Sequence, residues 1–509
     1  MKRSTSGRLV AGLLVPVAVA FAQLGGGSPP AGGSSVGTQL PLSGRAGQAG
    51  SAAAVQTPIP GTTTSVNTLN TSVQVQGTFA GSASSIERMP FSGKLSLHEA
   101  IERGLASNLG AVGLASAVRQ AKGQQRVARS VLLPNLNGAF RENYLTQGLA
   151  ALGIRAPFLP AVVGPINYFD LRATLTQNFV DLTSLNNYRA SQEIVRANEQ
   201  AMQDARDTVV LAVGASYLQV IAAKARVESA RVQLETAKAV LDQTAQRRRA
   251  GLVAQIDVNQ SRVMEQVQQQ RVATLENDLA RQKINLARLT GLPPNEHYEV
   301  SDNIAFATPP ALSVEDAIKQ ALDDRADLKA AEAQVKAAER SRSAARAERL
   351  PSLAMSADIG EIGPRFNQGA HTYTVAGSVK IPIWQGGRAA GDIEQSEAAL
   401  DQRRAELADT RGRIESDIRN AFLDLQVAAS QVDLARNNQD VARETLRLTR
   451  EKFDAGVSES LEVTRAVESV AAADLDYITA IFAHNLAKLS LARAMGHAEQ
   501  RLPDYLKAQ

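Results

Sequence analysis

The stretch "AGLVAQIDV", Ala250–Val258, returns 205 residues later as "AGVSESLEV", Ala455–Val463. Both copies lie between long stretches that contain no proline and are rich in alanine, glutamine and charge. Gly251 and Gly456 permit the positive φ angle that a chain needs to leave one helix and reverse into another. The sequence therefore predicts two helical hairpins with tips near residues 251 and 456.

The helices that lead to these tips are predicted to be very long. They cover about Leu185–Arg249 and Gly391–Asp454, and each would span about 100 Å at the rise of an α-helix. The two hairpins as wholes are predicted over about 185–290 and 391–495. Apolar residues of the first returning helix recur on one side, which is typical of a coiled coil; they are Val272, Leu275, Leu279, Leu286 and Leu289.

The chain is an internal duplication. "LSLHEAIERGLASN" at Leu95–Asn108 is echoed by "LSVEDAIKQALDDR" at Leu312–Arg325, and Ser96 and Ser313 are the predicted helix caps. "LLPNL" and "LARLTG" in the first half are likewise echoed by "RLPSL" and "LARAMG" in the second. The echoes keep their order, so two repeats are predicted, at about 95–295 and 312–497.

Composition excludes several classes of function. The net charge of the 509 residues is +4 with both signs interspersed, which is unlike a nucleic-acid surface, and there is no cysteine. Five scattered histidines, His98, His297, His371, His484 and His497, offer no metal spacing, and no nucleophile or phosphate-binding motif is present. We predict no enzyme activity, no metal and no cofactor.

The N-terminus is predicted to direct export. Residues 1–22 combine basic residues, an apolar run and a small-residue end, as in a cleavable signal peptide, although an uncleaved anchor is the alternative. Residues 23–92 are rich in Gly, Ser, Thr and Pro and are predicted to be a flexible extension. Residues 498–509 are the predicted C-terminal tail.

Each repeat also contains two predicted strands, at about 133–146, 167–180, 350–360 and 371–384. In "YFDLRATLTQNF", Tyr168–Phe179, one face is apolar and the other polar and charged, and "HTYTVAGSVKI", His371–Ile381, repeats the pattern. This suits a transmembrane barrel or a soluble sheet with one wet face, and the signal peptide favours the barrel. Four strands cannot close a barrel, so several chains would have to combine theirs.

These features resemble the TolC-like outer-membrane efflux channels over about 95–497. The most specific matches are "AGLVAQIDVNQSR", the leucine–proline strand starts, the "LAR" helix ends and "PIWQGGR", Pro382–Arg388. The resemblance implies a mainly α fold with a small transmembrane β part: a trimer with a shared twelve-stranded barrel and a periplasmic α-barrel. Pro382, Gly386, Gly387 and Arg388 would form the barrel-to-helix junction.

The resemblance also implies a function and partners. The protein would conduct drugs or other small toxic solutes passively across the outer membrane, in contact with outer-membrane lipid. A periplasmic adaptor and an inner-membrane RND or ABC transporter would be its partners. A channel for type I protein secretion is the alternative, and a soluble periplasmic coiled-coil scaffold without barrel strands is a third interpretation. The absence of cysteine departs from the lipid-anchored relatives, and the apolar connection at about 145–166 and the 23–92 extension have no assigned role.

The resemblance further suggests roles for residues near the tips. Asp257 and Glu462 would line a periplasmic pore ring, with Arg465 as a nearby partner of Glu462. The alternative is that both acids simply stabilise helix N-termini, and this is the favoured interpretation.

An adaptor-docking surface is predicted at the tips themselves. Leu252 and Val457 would be exposed apolar residues beside Gly251 and Gly456, with Ser458 at a position where the family carries a basic residue. A purely structural turn explains the glycines equally well.

Overall fold

Long helices and one small sheet make up most of the computed structural model. It describes residues 51–59, 68–83, 91–148, 160, 162–302, 312–457 and 459–500. The predicted signal peptide, residues 23–50 of the extension and residues 501–509 of the tail lie outside these ranges.

The helices in chain order are α1 (Leu97–Ser107), α2 (Leu109–Ser130), α3 (Leu182–Arg249), α4 (Gln255–Thr290), α5 (Val314–Asp324), α6 (Ala326–Ala347), α7 (Arg388–Asp454) and α8 (Ser460–Ala494). The strands are β1 (Ser51–Ile59), β2 (Thr68–Gln76), β3 (Lys94–Leu95), β4 (Asn135–Gly148), β5 (Val162–Val180), β6 (Glu299–Val300), β7 (Ser352–Gly363) and β8 (Ala370–Lys380). The predicted fold class, mainly α with a small β part, is confirmed.

Matching local chemistry begins the two repeats. The hydroxyl of Ser96 accepts the N–H of Glu99 at 3.2 Å, and that of Ser313 accepts the N–H of Asp316 at 3.1 Å. Each serine therefore satisfies a backbone donor that the first turn of its helix leaves free. Each half therefore has the serine cap that the sequence predicts for it.

Each repeat contains one long helical hairpin that extends away from the sheet. α3 has 68 residues and α7 has 67, so each is about 100 Å long. α3 pairs with α4 and α7 with α8, while α8 also packs against α3. The order across this layer is therefore α4–α3–α8–α7, with α4 and α7 at its edges.

The four strands with alternating polar and apolar residues form one antiparallel sheet in the order β4–β5–β7–β8. Its register places Arg141, Asp170, Arg172 and Asp358 on one face and Phe140, Phe169 and Leu171 on the other. The alternation predicted from the sequence is thus maintained across neighbouring strands. β4 and β8 are the two edges of the sheet within the described chain.

The largest apolar core lies where α1, the middle of α3, and the ends of α4 and α8 meet. Tyr217 of α3 is fully buried there and donates its hydroxyl to the carbonyl of Leu95 at 2.9 Å. α3 is the one helix among the described residues that is long and apolar enough to cross a membrane. Since 78% of its apolar stretch is buried in the protein, we interpret it as a core helix.

Part of the predicted flexible extension is structured. β1 and β2 pair as an antiparallel hairpin over 51–59 and 68–76, and Val75 packs against the main core. Phe79 is buried, and its ring lies so close to Gly110 that a Cβ there would meet it at 2.3 Å. Val75 and this phenylalanine supply apolar surface to the part of the extension that is structured.

Candidate functional site

The two hairpin tips have the same backbone geometry. Gly251 and Gly456 both have a φ of 75°, as expected from the sequence. The N–H of Leu252 donates to the carbonyl of Arg247 at 2.9 Å, and the N–H of Val457 donates to that of Lys452 at 3.0 Å. This bond, six residues to one, is that of a Schellman motif, so both long helices end by the same device. Among the described residues no atom lies within 4 Å of a Cβ placed at either glycine, so the positive φ is what requires them.

An apolar side chain is presented to solvent at each tip. Leu252 is 74% exposed and Val457 is 80% exposed. Ser458, which was predicted to belong to the same surface, lies outside the described residues. Two exposed aliphatic residues at the far ends of two hairpins could contact a partner protein.

The acidic residues behind the tips differ in their local roles. The carboxylate of Asp257 accepts the backbone N–H of Ala254 at 3.0 Å and so caps α4. Glu462 lies in the first turn of α8 and is exposed, as is Arg465 one turn later. The cap supports the structural interpretation of Asp257; a pore-ring role for the three residues stays a prediction.

A groove of about 600 Å³ lies between α3 and α7 just behind the tips. Phe453 and Val463 contribute apolar surface to it, and Arg231 and Arg450 contribute charge. Arg247 fixes one end, because its guanidinium donates to the carbonyl of Phe453 at 2.7 Å and lies 4.1 Å from the centre of that ring. The sequence shows three consecutive arginines here but gives no sign of their partner on α7.

The Asp474 carboxylate joins three helices further along the hairpins. It accepts hydrogen bonds from Ser229 at 3.1 Å and Gln233 at 3.2 Å, both on α3. On the other side it accepts from Gln439 at 2.7 Å and Arg443 at 3.0 Å, both on α7. Sequence reasoning missed this residue, since one acid on a helix with many acids carries no signal of what it faces.

Apolar rows remain exposed on the two edge helices. On α7 they follow a near-seven-residue period, and the middle three lie one position before a buried alanine; they are Leu423, Val427, Leu434, Val441 and Leu448. On α4 they are Ile256, Val263, Val267 and Ile284. A second apolar row on a helix that already buries one is typical of a helix with two neighbours.

One face of the four-stranded sheet is polar and charged and the other is apolar, as in the strands of a membrane barrel. On the polar face Arg172 pairs with Asp170 at 3.1 Å and with Asp358 of the adjacent β7. On the apolar face the ring of Phe366 stacks on Phe169, with 4.6 Å between ring centres.

Aromatic side chains mark both ends of the apolar face, with Phe169 buried under Phe366 at one end and the exposed Phe179 at the other. From Phe169 to Phe179 the strand rises about 33 Å, or about 25 Å when tilted as in a barrel, which matches the apolar band of outer-membrane proteins. Phe179 is 59% exposed at the helical end, and Trp384 lies in the connection between β8 and α7.

That connection contains the predicted junction residues. Gly386 and Gly387 have φ angles of 59° and 86° after Pro382, and Arg388 begins α7 with an ion pair to Glu348 at 3.1 Å. In the first repeat the connection from strand to helix is a single residue, Asp181, which lies between β5 and α3. Its carboxylate accepts the N–H of Ser184 at 3.0 Å.

Comparison with known proteins shows which family and which solved structures this chain is similar to. The family model described as outer membrane efflux protein matches residues 107–292 and 317–497. Outer membrane protein OprJ of Pseudomonas aeruginosa is 26% identical over 74% of this chain and 79% of its own. The pyoverdine export outer membrane protein OpmQ of the same species is 26% identical over 79% and 85%. The outer membrane channel CmeC of Campylobacter jejuni has the same fold, with a TM-score of 0.70, 18% identity and coverage of 88% and 95%.

Proposed function

This chain belongs to the outer membrane efflux protein family, and we propose that three copies of it form the outer-membrane duct of a three-component efflux system. It is an outer-membrane channel with a periplasmic extension. The described residues contain no group of side chains suited to holding a metal ion.

The edges of the two layers carry the proposal. The sheet ends in β4 on one side and β8 on the other, while the helical layer ends in α4 and α7. In both layers one edge belongs to the first repeat and the other to the second. A neighbouring copy can therefore satisfy both edges at once with a single head-to-tail contact, and such contacts close into a ring. Three copies would give twelve strands, which is enough to close a barrel.

The exposed apolar rows support this contact. The row on α7 that contains Leu434 and Val441 would pack against the row on α4 that contains Val263 and Val267 of the next copy. Water-exposed valines and leucines at these positions would be buried in the ring, which favours association.

The tips and the groove behind them would bind a periplasmic adaptor. Leu252 and Val457 supply apolar contacts, and the groove between α3 and α7 offers an apolar floor with charged rims, which suits an amphipathic helix. An inner-membrane transporter of the RND or ABC type would deliver the cargo to that assembly.

The cargo is proposed to be a small solute. OpmQ is named as a pyoverdine export protein, and its match over most of both chains supports a small-molecule cargo here. The scaffold alternative predicted no barrel strands, whereas the described residues contain a four-stranded sheet with opposite faces. No observation favours protein secretion over efflux.

The test is made in a strain that lacks its own copy of the gene. The full chain should fractionate with the outer membrane, migrate differently on gels with and without heating, and lower the accumulation of a fluorescent efflux substrate. The double variant Leu252→Asp, Val457→Asp should remain a trimer in the outer membrane yet lose adaptor cross-linking and efflux. Recovery of the wild-type chain in the soluble periplasm would overturn the proposal.

A further inference from the structure

The β4–β5 hairpin extends well beyond the other pair of strands. Pairing of β5 with β7 stops at Phe169, whereas pairing of β4 with β5 continues to Gly148 and Val162. About seven residues of β5 therefore project past the sheet, roughly 23 Å along the strand. We call residues 143–148 and 162–168 the overhang. It lies on the side of the sheet away from the helices, beyond the Phe169–Phe366 aromatic pair.

The polarity of the two faces inverts at the start of the overhang. Below it, the face that carries Arg172 and Asp358 is polar. In the overhang the same face carries Leu145, Ile166 and Tyr168 together with one polar residue, Asn143 opposite Tyr168, and Leu145 lies directly opposite Ile166. No register shift separates these residues from the sheet below, because the one irregularity between β4 and β5 lies beyond Leu145.

The opposite face of the overhang carries Tyr144, whose side chain is 72% exposed, and Asn167. Glu142, just below the overhang, accepts hydrogen bonds from the hydroxyl of Tyr144 at 3.0 Å and from the amide of Asn167 at 3.4 Å. Along the strands, the polar groups of Glu142, Tyr144 and Asn167 come directly after the apolar band that contains Phe140 and Phe169. Such polar groups are suited to the depth at which lipid headgroups lie. In the proposed trimer, the overhang would turn the side with Tyr144 and Asn167 outward and the side with Leu145 and Ile166 toward the channel axis.

We propose that the overhangs of three copies meet above the outer mouth of the channel and pack Leu145, Ile166 and Tyr168 against one another as an apolar collar. The inference rests on the proposed trimer. A two-stranded ribbon with exposed apolar residues is marginal in water, so it needs a cover. The inverted face points to the space that only the other copies share, since a lipid-covered ribbon would keep its apolar side outward, as the sheet below does. The collar narrows the exit of the duct and adds a hydrophobic ring to the path of the cargo.

The chain has no native cysteine, so thiol cross-linking gives a clean test. Ile166→Cys and Asn167→Cys are adjacent and lie on opposite faces of one strand. In oxidised outer-membrane vesicles that contain the full protein, Ile166→Cys is expected to give covalent pairs of copies and Asn167→Cys is expected to give none. Leu145→Cys, opposite Ile166 on β4, is a second variant for the inner face and should behave like Ile166→Cys.

Planar-bilayer conductance gives the second measurement. Ile166→Asp places three carboxylates in the collar, whose repulsion and hydration should raise single-channel conductance above that of Asn167→Asp. Equal cross-linking at 166 and 167, or quenching of a dye attached to Ile166→Cys by brominated lipid, would overturn the collar. If the wild-type protein is neither trimeric nor conducting, the proposed function itself fails. A conducting trimer whose Ile166 and Asn167 variants behave alike refutes the collar only.

Discussion

The two returning helices, α4 and α8, begin after the same turn but have different surroundings. They align without a gap, since Gly251 matches Gly456 and Gly291 matches Gly496 at one constant offset. α8 lies between α3 and α7 and buries residues on both sides, whereas α4 packs mainly against α3 and leaves Val263 and Val267 exposed. One copy of the duplicated helix thus became internal and the other became an edge.

The side chains record this difference. Asp474 of α8 bonds to helices on either side, while its counterpart on α4 is Gln269, which is exposed. His484 of α8 is fully buried, and its counterpart is Leu279. The internal helix therefore bonds to helices of its own chain on both sides, whereas the edge helix leaves an apolar row exposed that the proposed ring would bury.

The largest predicted effect is the loss of the Asp474 junction. Asp474→Ala should cost about 3 kcal/mol of stability, because the buried amides of Gln233 and Gln439 lose their acceptor and Arg443 loses its ion pair. The matched change Gln269→Ala on α4 should cost less than about 0.5 kcal/mol. Thermal denaturation of both purified variants, followed by circular dichroism, measures the difference. Equal costs would contradict the distinction between internal and edge helix.

The buried histidine of α8, which α4 lacks, predicts that the stability of the protein depends on pH. The pKa of His484 is lowered to about 4, mainly by burial and also by the nearby charge of Lys488, while Asp433 on α7 acts in the opposite direction. The unfolded chain binds this proton near pH 6.5 and the folded chain does not, so stability should fall as the pH drops from about 6.5 to about 4.

Replacing His484 with the residue of the first repeat tests that dependence. His484→Leu should remove about 3 kcal/mol of the acid destabilisation and leave stability near pH 8 almost unchanged. Melting temperatures measured at several pH values across this window give the answer. An acid slope that is the same in the variant and the wild type would assign the effect to other groups.

The tips test the similarity of the repeats rather than their difference. Gly251→Ala and Gly456→Ala should each cost about 1 kcal/mol, because both positions need a positive φ. Gly412→Ala, in the middle of α7 with open space around its Cβ, should instead stabilise the protein by about 0.5 kcal/mol. Unequal costs at the two tips, measured by thermal denaturation, would show that the shared hydrogen bonds do not make the turns equivalent.

Effects on stability that are no larger than those at the tips are expected for the acids behind them. Asp257→Ala should cost about 1 kcal/mol because it removes a cap, and Glu462→Ala about 0.5 kcal/mol or less. If Glu462 lines a pore ring with Arg465, Glu462→Ala should also reduce the cation preference of the channel in planar bilayers. Unchanged ion selectivity would leave Glu462 with the helix dipole as its only role.

Much of this architecture could be predicted from the sequence because its signals are local. The tip glycines, the serine caps and the alternation around Arg172 depend on backbone angles or on periods of two and about four residues. α3 begins at Leu182 rather than at about Leu185, a difference of less than one turn. β5 runs from Val162, because its pairing with β4 continues past the predicted start at about 167.

The remaining features depend on contacts between distant segments. Asp474 joins residues 245 and 35 positions away. Arg247 finds Phe453 across the boundary between the repeats, and Phe79 fills a space beside Gly110 from within a segment of low complexity. No local period encodes such partners, so composition alone made the extension look unstructured.

In the proposed ring, the α4 edge of one copy packs against the α7 edge of the next. Val267 lies 16 residues after Gly251 and Val441 lies 15 residues before Gly456, so both are about 24 Å from their tips. The double variant Val267→Cys, Val441→Cys should form disulfides between copies in oxidised membranes and give a closed covalent trimer. Each single variant should give none. Absence of cross-linked product in the double variant, or an open ladder beyond three copies, would contradict this packing of the edges.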